Sequence, residues 1–194
     1  MHKQKNCSYG LDAVDMNEKF HKLTELGAGD FEHLDGSLID HLKGTSRLLQ
    51  QWGASTILQD AGLYHAVYGT AGFSEHLVSP NQRDKIAGII GREAEDIVYL
   101  YCACDREYFW PQFANSNHLE YKDRFTGRLF EPEPCQLRAF CELTVANELE
   151  IANGNQPFID QHGQGLYQLF KNMQQYLSGH ANAAVEVGLS GENA

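Results

Sequence analysis

Apolar residues recur every three or four positions along most of this chain, and glycines and prolines cut the pattern into segments. Val14, Phe20, Leu23 and Leu26 predict a helix over 11–26, stopped by Gly27. A glycine- and aspartate-rich stretch follows and predicts a loop, in which His33 sits. Ser37 is placed to cap a second helix, with Asp40 as a weak capping-box partner. Leu38, His41, Thr45, Leu48 and Trp52 share one side of that helix, so His41 points with the apolar residues, and Gly53 ends it. Ser55 caps a third helix, predicted to run to Gly69, in which Leu58, Ala61, His65 and Tyr68 share a face.

Ser79-Pro80 opens the next helix, with Ile86, Ile89 and Ile90 as its apolar residues and a break at Gly91. Glu93 to Phe109 predicts one long helix in which Ile97, Tyr101 and Asp105 lie four apart on one face. Trp110-Pro111 ends it, and the segment to Pro134 predicts irregular chain with a hairpin turning at Thr126-Gly127. Helical period returns over Leu137 to Ala152 and again from about Asp160 to Leu177. The tail after Gly179 is small and polar and is expected to fray. The sum is an all-α bundle with one irregular or short-hairpin insertion, in a single domain over 1–194 with its core at about 11–178.

Charge narrows the partners. A formal charge of −11 argues against a nucleic-acid backbone or an anionic membrane, though a bound dication reverses the sign locally for a small anionic substrate. No apolar run approaches the ~20 residues needed to span a bilayer, and the polar N-terminus lacks an apolar signal core, so the expectation is a cytoplasmic protein. Five cysteines (Cys7, Cys102, Cys104, Cys135 and Cys141) with no C-x-x-C pair predict buried free thiols rather than disulfides or structural zinc.

The chemistry to look for lies on the apolar faces. Two imidazoles and a carboxylate on separate helices, His41, His65 and Asp105, suit zinc, iron or manganese, and with three open positions they match the donor set of non-heme iron(II) oxygenases. Each also has a plainer reading: a hydrogen-bonded core histidine, or an aspartate that pairs with Arg106 or caps a helix elsewhere. His33 is a possible fourth ligand, and His76 and Glu75 are further ones. Tyr68 and Thr70 flank the expected site as donors or substrate contacts, or serve packing and turn capping. Glu148 is a candidate acid or base, or a solvated helix glutamate. Arg106, Arg124 and Arg128 are candidates for holding an anionic group, and surface ion pairs with the abundant acids explain them equally well.

The order of these residues resembles the HD-domain superfamily of helical metalloproteins, over roughly residues 37 to 106. His41 takes the first histidine's place, His65 the second's and Asp105 the distant aspartate's. Ala66 stands where the superfamily has the aspartate of its His-Asp pair, which puts the usual binuclear chemistry in doubt. The strings His41-Leu42-Lys43-Gly44-Thr45, Tyr68-Gly69-Thr70 and Asp105-Arg106 also resemble the signatures of a small family, a likeness that implies no function. Three functions follow as expectations. The first is an iron(II)-dependent oxidoreductase acting on a small molecule, with Mn or Zn as other possible metals. The second is a metal-dependent phosphohydrolase. The third is a non-catalytic helical binding protein with a decayed metal site.

Overall fold

The two helices that carry the histidines start where serine side chains replace missing backbone partners. In the computed structural model, which describes residues 16–28, 32–33, 36–73, 75–116 and 118–189, Ser37 accepts from the Asp40 amide at the head of α2 (Leu38–Gln51), and Ser55 from the Leu58 amide at the head of α3 (Thr56–Tyr64). Gly53, at φ +73°, turns the chain between them. The helices then pack closely at Gly62, where an added Cβ would stand 2.6 Å from Leu49 Cδ1.

The architecture is all-α. α1 (Met16–Glu25) precedes a two-residue ladder of β1 (Glu32–His33) with β2 (Gly36–Ser37). After α3 come a short 3-10 turn (Pro80–Gln82), α4 (Arg83–Ile90) and α5 (Arg92–Cys102). Short helices α6 (Arg106–Phe109) and α7 (Gln112–Asn115) lead into an antiparallel hairpin of β3 (Tyr121–Lys122) and β4 (Leu129–Phe130), turning through Gly127 at φ +73° as its sequence predicts. α8 (Pro134–Ala152), α9 (Gln156–Met173) and α10 (Gly179–Leu189) complete the chain.

α8 is the centre. Every residue from Phe140 to Leu149 is buried, and α2, α3, α5, α9 and α10 all pack on it. A helix buried on all sides shows little amphipathic period, so its sequence marks no functional face. Thr144, Asn147 and Glu148 are polar residues inside that buried run.

Three expected elements differ. The helix expected to run to Gly69 ends at Tyr64, so His65 and Tyr68 lie in the turns beyond it and not on one helical face. The long helix over 93–109 is broken after Cys102, because the insertion pairs with the chain there: Cys104 bridges Asp123, the Asp105 amide donates to the Lys122 carbonyl at 3.0 Å, and the Arg124 amide donates to the Ala103 carbonyl at 2.8 Å. The tail is also not frayed through 189. Ser178 caps α10 through the Ala181 amide, buried Glu142 accepts from both Ser178 N and Oγ, and Ala181, Val185 and Leu189 are buried. Residues 190–194 lie outside the described residues. Among the described residues, no helix is long and apolar enough to cross a membrane.

Candidate functional site

His41 and His65 meet against α8. Their Nε2 atoms are 3.2 Å apart, and His41 Nε2 is 3.0 Å from Asn147 Oδ1. Both rings are buried, with centroids 5.1 Å apart and planes nearly perpendicular. The opposite nitrogens are each committed to an acceptor. His65 Nδ1 donates to the Gly62 carbonyl at 2.7 Å, and His41 Nδ1 donates to the Glu150 carboxylate. With each Nδ1 on an acceptor behind its ring, Nε2 is the nitrogen that each ring turns toward the other.

Local structure explains both orientations. His65 follows the last residue of α3, so its ring turns back on the carbonyl three residues earlier, and the Cys102 thiol donates to the His65 carbonyl at 2.9 Å. Burial pushes the Cys102 thiol up to about 12, so it stays a protonated donor at neutral pH. Glu150 reaches His41 by crossing Gly44. A Cβ at Gly44 would stand 2.7 Å from Glu150 Cγ and 2.8 Å from its Cδ.

The rings open onto a cavity of about 450 Å³, whose other walls include Thr70, Arg106, Glu148 and Phe158. Glu148 Oε1 accepts from Arg106 Nη1 at 3.2 Å and from Asn147 Nδ2 at 3.1 Å. Arg106 Nη2 donates to Tyr101 OH at 2.8 Å, and its guanidinium lies over the Trp110 ring. Burial raises the Tyr101 hydroxyl, with Arg106 opposing, so it remains a neutral acceptor for the guanidinium.

Asp105 is not in this group. It caps α6, accepting from the Tyr108 amide at 3.2 Å, and pairs with Lys122 Nζ at 2.8 Å. That hydrogen bond to Lys122 holds its carboxyl below the usual aspartate range. The period that placed it beside Ile97 and Tyr101 counts through a helix end. Tyr68 is also elsewhere, donating to buried Glu95 at 2.9 Å, where Arg83 binds the same carboxylate through two nitrogens. Thr70 and Glu148 do line the cavity, so Glu148 is not the solvated alternative. Glu75 and His76 are exposed. His33 falls in β1, and its side chain lies outside the described residues. Arg124 holds the Cys102 and Gly69 carbonyls, a structural role, while Arg128 lies over Phe130. Cys102, Cys104 and Cys141 are buried thiols as expected; Cys135 is exposed, and Cys7 lies outside the described residues.

Asn147 and Glu150 escape the sequence pattern. Asn147 lies in a helix buried on all sides, and Glu150 looks like a surface residue until Gly44 is seen beneath it.

The donor atoms fit one divalent ion in one respect. Two ligands each about 2.1 Å from a cation stand roughly 3.0–3.4 Å apart at octahedral or tetrahedral angles, and the two Nε2 atoms are 3.2 Å apart. The carboxylate and carbonyl behind the rings are the usual outer partners of metal-bound imidazoles. Among the described residues, no three His, Cys, Asp or Glu side chains are grouped to hold a metal; the further oxygen beside His41 Nε2 is that of the Asn147 amide, at 3.0 Å.

A family model described as a domain of unknown function (DUF6817) matches residues 22–106, less than half of the 194-residue chain. The matched segment contains His41, His65 and Arg106 and leaves out α8. No curated protein and no solved structure matches the chain.

Proposed function

We propose that this protein is a metal-dependent hydrolase of a small molecule, most simply a phosphoester, with a divalent ion held by His41, His65 and Asn147. One observation carries the reading: two imidazoles turn Nε2 toward each other at 3.2 Å while each Nδ1 is tied to an acceptor behind it. The resemblance of the His41 and His65 strings to the HD-domain superfamily, in which hydrolases dominate, supports it. A bound dication supplies a water of lowered pKa and polarises a substrate oxygen.

The chain's own residues divide the remaining work. Glu148 offers a carboxylate at the cavity wall to accept a proton, and the two donors on its Oε1 fix its orientation. Arg106 brings a positive charge to the cavity for an anionic substrate group. Thr70, whose Oγ1 accepts from the Phe73 amide, keeps a hydroxyl proton to donate to substrate. All three proposed ligands are neutral, which leaves the cation's charge undiminished for this chemistry. The net charge of −11 supports a protein without a nucleic-acid partner.

A second reading makes the protein an iron(II) oxidoreductase with Glu148 as the carboxylate of the ligand set. Its support is that Glu148 lines the same cavity as the two histidines. One experiment tests both readings. Metal-stripped protein is reloaded with Mn, Co, Ni or Zn, and anaerobically with Fe(II), then assayed on phosphate mono- and diesters and for oxygen uptake. The expected result is one ion per chain, lost in His65→Ala, with ester turnover and no oxygen consumption. Oxygen uptake with iron selects the second reading. Metal content indifferent to His65→Ala rules out both in favour of a non-catalytic binding protein.

A further inference from the structure

A second cavity of about 650 Å³ adjoins the first, and the two share Arg106, Glu148, Phe158 and His162 as walls. Beyond those shared residues its lining is largely apolar: Trp110 and Pro111 follow α6, Ala114 lies in α7, and Leu166 and Leu169 lie on α9. Charge is concentrated at the junction, where Arg106 Nη1 and Glu148 Oε1 are 3.2 Å apart. The two volumes, about 450 and 650 Å³, each fall in the range of small-molecule sites, roughly 300–1,000 Å³.

We infer that the substrate is amphipathic, with a polar head beside His41 and His65 and a hydrocarbon portion in the cavity against Trp110, Leu166 and Leu169. The assignment rests on the proposed hydrolase reading. The polarity of the walls argues it. A wholly polar substrate would leave the larger cavity to water against an apolar surface, whereas a hydrocarbon chain binds roughly fourfold more tightly for each methylene it buries there. Because the two cavities share four walls, a molecule occupying both has its polar end at the histidines and its apolar end between α7 and α9. The occupant is a free amphipath and not a bilayer: the chain's charge of −11 disfavours anionic membranes.

Gly165 supplies the test. It lines the apolar cavity, and a Cβ built on it meets nothing within 4 Å, so a large side chain there enters space rather than protein. Decanoate serves as the probe and acetate as its control. Binding is read by the fluorescence of Trp110, and metal content is measured in parallel. Trp52, the other tryptophan, closes the end of α2 and lines neither cavity. The expected result is saturable decanoate binding, none for acetate, at least tenfold weaker decanoate binding in Gly165→Phe with metal content unchanged, and near-normal binding in Gly165→Ala. His65→Ala should lose metal and keep decanoate. Phosphatidylcholine vesicles should fail to pellet the protein. The inference is overturned if decanoate does not bind, if Gly165→Phe binds it as the wild type does, or if vesicles capture the protein. Intact metal binding in that event leaves the hydrolase reading standing. Decanoate binding without any metal binding overturns the hydrolase reading, and the amphipath's role as substrate with it.

Discussion

Gly44→Ala sets two effects of opposite sign against each other. In the interior of α2, replacing glycine by alanine favours the helix by about 0.5–1 kcal/mol. The new Cβ would stand 2.7 Å from Glu150 Cγ, so Glu150 must leave its path across α2 and release His41 Nδ1. Losing a charge-assisted hydrogen bond costs about 1.5–3 kcal/mol, toward the lower end here because the Glu150 side chain is 24% exposed and finds water. The net expectation is a destabilisation of about 1 kcal/mol, read as a fall in the urea midpoint at constant m-value. Glu150→Ala alone should cost about 2 kcal/mol, since it loses the bond without the helix gain. In the Glu150→Ala background the obstruction is gone, so adding Gly44→Ala should reverse sign and stabilise by about 0.5–1 kcal/mol. If Gly44→Ala stabilises the otherwise wild-type protein, the Glu150–His41 contact carries no weight and the orientation argued for His41 fails.

Asp105→Ala should cost about 1 kcal/mol through the lost cap of α6 and leave bound metal unchanged; metal loss would return Asp105 to the ligand set. Because Lys122 lowers the Asp105 pKa, its contribution is complete above about pH 5 and lost as pH falls through its folded value. Asp105→Asn should therefore flatten the acid limb of a stability–pH curve, and an unchanged limb would refute the pairing. Alkylation at pH 8, mapped by mass spectrometry, should mark Cys135 and spare Cys102 and Cys104, whose thiols burial raises to about 12, together with buried Cys141. Labelling of Cys102 in folded protein would contradict its bond to the His65 carbonyl. Glu142→Ala removes both acceptors of Ser178 and should release α10, seen as faster amide exchange over 179–189 with slower change elsewhere. Uniform exchange across the chain would show that α10 does not unfold as a separate unit.

What the sequence could reveal followed the physics of one-sided helices. α2 buries one stripe, so a 3.6-residue period set His41 on its inward face, and serines at 37 and 55 marked the starts of α2 and α3; His65 lies just past α3, in a stretch buried from Asp60 to Thr70 whatever the period. Asp105 was misplaced because period alone does not register a helix end. The competing signal was an aspartate before Arg106-Glu107, a residue type suited to capping, and the decisive pairing with Lys122 comes from a hairpin 17 residues further on. Asn147 was invisible for a different reason: in α8 all sides are inward, so no period separates a wall of the core from a wall of a cavity. α10 was missed because its stripe of Ala181, Val185 and Leu189 is weak, and what holds its start is a glutamate 36 residues away.

The site is divided along the chain. Both imidazoles come from the segment that the family model covers, while the amide oxygen, the cavity carboxylate and the α9 walls come from beyond residue 106. A descendant that kept the first half and redrew the second would inherit the same pair of nitrogens and a different appetite. The walls of the cavity can thus change while the two histidines stay fixed, and two chains sharing this match need share no substrate.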